Sequence, residues 1–277
     1  AAAAGGTTTI VDMPLNASPA TTTLPAFEEK LEASHGQLNV NVGFYAGLIP
    51  GNAHHLEALM QAGVVGVKCF LTHSGIDEFP NVTEKDLDEA MPIIAKYKLP
   101  LLAHCELYEK EVDSDFENHP TSYQHYLASR PKQWENDAVA LMIRMCRKHQ
   151  CPVHIVHVAS DEALTLIEVA KQEGLPITAE TCSQYIYFNA EEIPDGKTIY
   201  KCAQPIRNRA NNQHLKEAFL SGVLDFITTD HSPAPASIKE ITSGNLKKAW
   251  GGIAGIQFLL TASWTALKDL MTLEQFI

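Results

Sequence analysis

The sequence predicts an α/β fold, a parallel (β/α)8 TIM barrel that lacks its first strand. Short apolar runs recur along the 277 residues, with helical segments between most of them. The runs are almost continuously apolar rather than alternating, as a parallel strand covered on both faces requires. Ionisable residues gather at the C-terminal ends of several different runs, and a barrel assembles its site from all the loops on that face. An open doubly wound sheet is the competing arrangement. Its glycine-rich phosphate loop has no counterpart after the first run, where Met13-Pro14-Leu15-Asn16 stands.

Seven runs read as strands: 8–13, 40–46, 64–71, 99–106, 152–159, 176–182 and 224–229. Helical segments lie at 24–34, 53–62, 83–97 with Thr83 as cap, 135–148, 160–172 and 212–220. Most close on glycine, as at Gly36, Gly63, Gly174 and Gly222, which fits the left-handed turn at a helix end. Two connections are long. The polar one, 107–134, carries Asn118, His119 and Pro120 and reads as a lid or a solvated excursion. The other, 183–223, contains a segment at 201–207 too apolar for a linker. No composition shift marks a boundary, so residues 1–277 are expected to form a single barrel unit, strands two to eight. Both ends read as cut from a longer polypeptide: four alanines run into Gly5-Gly6, and Thr272 with Gln275 opens a capped helix at the last residues.

With 45% hydrophobic and 19% charged residues the chain is globular rather than disordered. A formal charge of -12 argues against nucleic acid as a partner, which demands a basic surface. No apolar run approaches membrane length, so no membrane partner is expected. Cysteines 69, 105, 146, 151, 182 and 202 show no paired spacing and read as free thiols in a reducing, cytoplasmic compartment.

Four residues carry the chemistry. Lys68 stands inside Gly66-Val67-Lys68-Cys69-Phe70, and a buried ammonium must snorkel, pair or be altered. An ion pair is one reading. The other is a neutral amine that takes up carbon dioxide as a carbamate bridging two divalent ions. His104 and His157 end successive runs; each alone is as readily a core residue as a ligand, but together they converge above the barrel. His154 points elsewhere by the two-residue strand period and reads as structural. Asp230, between Thr229 and His231, reads as a cap or as an ion ligand that moves protons. These groups do not fill two ions. Further nitrogens are expected from the missing strand, because Phe44-Tyr45-Ala46-Gly47 holds no histidine and His54 and His55 open a surface helix.

At these residues the chain resembles the cyclic amidohydrolases, and among them the allantoinase group. The resemblance spans the whole chain. It rests on Val11-Asp12-Met13-Pro14-Leu15-Asn16, Gly66-Val67-Lys68-Cys69-Phe70, Ala103-His104-Cys105-Glu106, Ala179-Glu180-Thr181-Cys182, Thr229-Asp230-His231-Ser232-Pro233 and Ala249-Trp250-Gly251-Gly252. It implies a barrel of the metal-dependent amidohydrolase type, with a small β-sandwich that has no counterpart here. It also implies two zinc ions bridged by N-carboxylated Lys68, with His104 and His157 on the outer ion and Asp230 on the inner one as proton shuttle. A His-x-His pair on strand one completes the pattern and is not found in this sequence. The implied reaction opens the ring amide of a small-molecule ureide, allantoin to allantoate, with Ala203, Ser232 and Asn16 as substrate contacts and a homo-tetramer as the assembly. A hydantoin, dihydropyrimidine or dihydroorotate hydrolase is the nearest alternative, and a non-catalytic homologue acting in assembly the furthest. Gln184 and Gln204 depart from the family pattern, which usually has histidine and proline there; the first is expected to weaken support of a ligand, the second to reshape the substrate strap.

Overall fold

The computed structural model describes residues 1–108, 112 and 114–276. Its strands are β1 (Thr9–Asp12), β2 (Asn41–Phe44), β3 (Ala46–Gly47), β4 (Val67–Phe70), β5 (Leu101–His104), β6 (Val153–Ile155), β7 (Ile177–Cys182) and β8 (Phe226–Thr228). β2 and β3 are one extended run interrupted at Tyr45. Tyr45 N–H donates to Asp12 C=O of β1, while Ala46 N–H donates to Gly66 C=O on the other side. Seven parallel runs thus follow one another in chain order, and every pairing is parallel. This is the expected barrel order, drawn as an arc. Among the described residues no pairing joins β1 to β8.

The helices are α1 (Leu24–Ser34), α2 (Ala53–Gln61), α3 (Glu84–Tyr97), α4 (Tyr123–Ala128), α5 (Lys132–His149), α6 (Glu162–Gln172), α7 (Ser183–Tyr187), α8 (Arg209–Leu220), α9 (Leu259–Leu267) and α10 (Leu273–Phe276). Local chemistry sets their ends. Thr83 and Asp86 form a reciprocal capping box on α3, with Thr83 N–H donating to Asp86 Oδ2 at 2.8 Å. Asn208 caps α8 by accepting from Asn211 N–H at 2.9 Å, so that helix starts before the expected residue 212. α5 likewise starts at Lys132, directly after Pro131, rather than at 135. Thr272 N–H donates to Gln275 Oε1 at 2.9 Å, as the terminal capping pattern predicts. Ile277, the end of that expected helix, lies outside the described residues, as do residues 109–111 and 113 of the long polar connection. The connection 183–223 proves structured, holding α7 and two 3-10 turns. α9 lies where the sequence pattern predicts no helix.

Leu56 and Leu59 of α2, Leu87 and Met91 of α3, Met142 and Met145 of α5 and Ile167 of α6 are fully buried in the core cluster that also holds the strand residues. Fully burying such a side chain stabilises by roughly 1.5–3 kcal/mol each, so this shell fixes the strand order. β5 is buried throughout, whereas Val11 of β1 is 39% exposed and Phe226 of β8 47%. The two edges of the arc are its least covered strands. All six cysteines are buried and free. No helix among the described residues is long and apolar enough to cross a membrane.

Uneven burial along one arc means uneven local stability. Amides of β5 and β6 are expected to exchange with deuterium at least about tenfold more slowly than those of β1 and β8, an opening difference of ~1.4 kcal/mol or more. Uniform protection across the sheet in exchange mass spectrometry would contradict this picture.

Candidate metal centre

Lys68 sits on β4, opposite Leu102 of β5 and Gly47 of β3. Its side chain is buried, and Nζ has no hydrogen-bond partner among the described residues. The nearest compensation is the Phe70 ring, 4.4 Å from Nζ to centroid. Burial pushes the amine down to about 8, against the pull of Cys69, Asp230 and Glu180. A surface ion pair is therefore not what holds Lys68. Close to neutral pH an appreciable share of it is the neutral amine.

His104 ends β5 and stacks on Phe70, ring centroids 4.8 Å apart. His157 lies two residues past β6. His104 Nδ1 and His157 Nε2 face one another at 3.0 Å. Their outward nitrogens have fixed partners: His104 Nε2 lies 3.3 Å from Glu106 Oε2, and His157 Nδ1 lies 3.3 Å from Gln204 Oε1. The orientation of Gln204 is set because its Nε2 donates to Cys105 C=O at 2.6 Å, leaving Oε1 for His157. Glu106 is held as a carboxylate. Burial pushes it up, but Arg130, bonded at 2.8 and 3.0 Å, and His104 bring it below its ordinary value. Both outer partners are thus acceptors. Each neutral imidazole has one N–H, so if both point outward, two lone pairs face inward across 3.0 Å. In that tautomer state a cation between them would satisfy both. Burial lowers the proton affinity of both rings, and the neighbouring His104 lowers His157 further, so a proton is disfavoured. A divalent cation suits the gap: zinc–nitrogen bonds of about 2.0–2.1 Å set two ligands of one ion a little over 3 Å apart.

Asp230 follows β8. Burial pushes its carboxyl up to about 6, Lys68 pulls the other way and Glu180 adds to the rise. These shared influences put Lys68, Asp230 and Glu180 in one electrostatic neighbourhood. His157 and Asp230 both adopt a left-handed backbone, φ 44° in each, which costs of order 1–3 kcal/mol in a residue with a Cβ. The surroundings hold them there. Thr181 Oγ1 donates to Val158 C=O, Glu135 Oε1 accepts from Ala159 N–H and Asn211 Nδ2 donates to Ala159 C=O, at 2.7, 2.7 and 2.9 Å. Beside Asp230, buried Gln184 donates to Thr229 C=O at 3.2 Å. Gln184 and Gln204 therefore contribute support rather than only weaken it: one braces the residue before Asp230, the other orients His157.

The remaining sequence-predicted positions are placed as follows. Ser232 is half-buried; its N–H donates to Ile253 C=O at 3.1 Å and its hydroxyl accepts from Trp250 Nε1 at 3.3 Å. Ala203 lies where Gly251 approaches, with 3.6 Å from an added Cβ to Ala203 N. Asn16 is exposed at a left-handed turn, φ 62°. His154 lies apart from the His104–His157 contact: Nδ1 meets Thr178 Oγ1 at 2.8 Å, Nε2 lies 3.3 Å from Glu180 Oε2 and the ring stacks on Phe226. His54 is exposed and His55 half-buried at the start of α2. Sequence reasoning missed the supporting roles of Glu106, Arg130, Glu135 and Glu180. Glu106 and Glu180 stand in motifs it had quoted, and an acidic residue beside a ligand strand was the available signal. It also missed a separate candidate metal cluster, Asp115, His119 and His125, whose ligand atoms all lie within 4.8 Å of one another.

Residues 1–272 match the sequence profile of the amidohydrolase family. The chain belongs to that family. This amidohydrolase is 42% identical over 288 residues to an allantoinase of Arabidopsis thaliana, covering 99% of this chain and 57% of the relative. It is 42% identical over 279 residues to an allantoinase of Saccharomyces cerevisiae, covering 98% and 61%. Among solved structures it superposes on the L-hydantoinase (dihydropyrimidinase) of Arthrobacter aurescens with TM-score 0.90 and 29% identity, covering 99% of this chain and 62% of that one. The chain spans about three fifths of the length of these relatives.

Two outcomes follow for the metal-free amidohydrolase. Gln204→Leu removes the acceptor of His157 and leaves Cys105 C=O buried without its donor, so a loss of about 1–3 kcal/mol in urea unfolding is expected. Asp230 has a raised folded-state pKa, so its contribution to stability is fully present below about pH 4 and is lost as pH rises through about 6. Asp230→Asn should flatten the fall in urea midpoint over that window. An unchanged slope would show that Asp230 does not titrate there.

Proposed function

We propose that this chain is the barrel core of an allantoinase, hydrolysing the ring amide of allantoin to allantoate with two zinc ions. The observation that carries the reading is the 3.0 Å approach of His104 Nδ1 to His157 Nε2 in one buried neighbourhood with the unpartnered amine of Lys68. The high identity to allantoinases over nearly the whole chain supports the substrate.

Lys68, His104, His157 and Asp230 would hold the ions. Bound divalent ions supply Lewis acidity and a water acidified toward neutral pH. Lys68 would contribute a carbamate: its neutral amine would add to carbon dioxide and lose a proton, and the anionic oxygens would replace an unpaired ammonium and serve as donors to the ions. Glu106 and Gln204 hold the two imidazoles with their inward nitrogens unprotonated. Asp230, ionised in most molecules at pH 7 but basic for a carboxylate, takes a proton from the attacking water and returns it to the departing ring nitrogen. Ala203 and Ser232 border the substrate, Ser232 through its carbonyl and hydroxyl hydrogen, since its N–H is engaged. Asn16 completes the contact set from the β1 side. The remaining nitrogen ligands come from a parallel strand filling the seam between β1 and β8. We assign the reaction to a cytoplasmic homo-tetramer. Six free thiols suit a reducing compartment, and exposed Phe258, Leu260 and Leu273 offer apolar contact area.

The deciding experiment extends the chain upstream through one such strand and supplies Zn2+ and bicarbonate. Allantoin turnover with two ions at the Lys68 centre, lost on replacing His104 and His157, is expected, with hydantoin, dihydrouracil and dihydroorotate turned over more slowly. Lys68→Ala should reduce turnover by about a thousandfold or more, and a short-chain carboxylic acid should restore part of it by standing in for the carbamate. If the extended protein takes up no metal, the reading fails. If it prefers hydantoin, the substrate assignment fails and the metal chemistry stands.

A further inference from the structure

The cluster of Asp115, His119 and His125 lies in the long polar connection, outside the set around Lys68. His119 Nε2 is 3.2 Å from Asp115 Oδ2. The two imidazoles stack with centroids 4.3 Å apart and planes inclined by 25°. His125 Nδ1 is buried and has no hydrogen-bond partner among the described residues. An orphaned imidazole nitrogen leaves a desolvated polar atom unsatisfied, and here it belongs to the same triad as a carboxylate and a second imidazole.

The triad is oriented before any ion arrives. Asp115 Oδ1 accepts from Asn118 Nδ2 at 2.6 Å, which turns Oδ2 toward His119. Asp115 C=O accepts from both Asn118 and His119 N–H at 3.2 Å, holding Asp115 in a left-handed conformation, φ 52°. His125 rides on α4, which is bolted to the body of the protein. Tyr123 Oη donates to Ile206 C=O at 3.1 Å and Tyr126 Oη to Cys202 C=O at 2.7 Å.

We propose that Asp115, His119 and His125 form a second metal site that binds a borderline transition ion such as Zn2+. Two imidazoles and one carboxylate match zinc, cobalt, nickel or copper, and are poor ligands for magnesium or calcium, which need oxygen donors. Asp115 and His119 are exposed, so water fills the remaining positions and the ion exchanges with solvent. Its binding ties the 115–119 turn to α4, and through α4 to the 202–206 strap that carries Gln204.

Equilibrium dialysis against Zn2+ tests this on the whole chain, with circular dichroism to confirm folding. The His104→Ala/His157→Ala protein is expected to retain one Zn2+ that millimolar Mg2+ does not displace. Adding His119→Ala, an exposed change, should weaken that ion more than about tenfold. If the double variant does not fold, His119→Ala alone should lower the zinc content of the otherwise intact protein by one ion per chain. Unchanged zinc binding on loss of His119 overturns the proposal, as does a folded double variant that binds no zinc.

Discussion

The polar interior of this barrel is organised by the 3.0 Å contact between His104 and His157. Two rings that both donate outward would leave their inward lone pairs facing one another, and the acceptors on their outer sides are themselves fixed. Glu106 is locked by Arg130, and Gln204 by the carbonyl of Cys105. Lys68 adds to this polar group, because its unpartnered amine lies close enough to lower the proton affinity of both rings. A buried amine without a partner is costly unless something else completes it.

What was legible in the sequence follows from periodicity. Lys68, His104 and Asp230 interrupt or end apolar runs, and parallel strands in chain order bring such positions together whatever the loops do. The supports were not legible, because they are made across long separations: Gln204 meets His157 over 47 residues and Cys105 over 99. Read as a family departure, Gln204 was expected to alter the strap; only the fold shows it acting on a ligand. The break at Tyr45, which passes one run from partner β1 to partner β4, also leaves no local mark. Asp115, His119 and His125 were readable as a spacing but not distinguishable from a solvated loop. The buried Nδ1 of His125 makes the difference, and burial is a tertiary property.

The left-handed backbone at His157 and Asp230 shows how the strand ends are held. Regular pairing has stopped by those residues, so side chains from neighbouring elements replace it. Around His157 these are Thr181 from β7, Glu135 from α5 and Asn211 from α8. The use of Glu135 has a consequence of its own. Burial raises its carboxyl to about 7 against the lowering effect of Arg207 and of the Ala159 and Ser160 amides, so the brace under His157 is itself partly protonated near neutral pH. Its bond to the Ala159 amide is strongest in the ionised form, and the turn is best held at pH above about 7.

The two halves of the candidate centre rest on unequal foundations. Lys68, His104 and His157 stand on β4, β5 and the turn after β6, where the arc is covered on both faces. Asp230 follows β8, whose Phe226 is nearly half exposed and whose far edge pairs with nothing among the described residues. Only side contacts steady it: Gln184 on Thr229, and the parallel bridge of His231 with Ile253. The histidine pair and its lysine are thus preorganised by the core itself. The position of Asp230 is less firmly held, because the edge of β8 beside it faces the unpaired seam between β1 and β8 among the described residues. Filling that seam would bury Phe226 and Val11 and pair the free edge of β8, so the same contact that closes the barrel would also set the carboxylate.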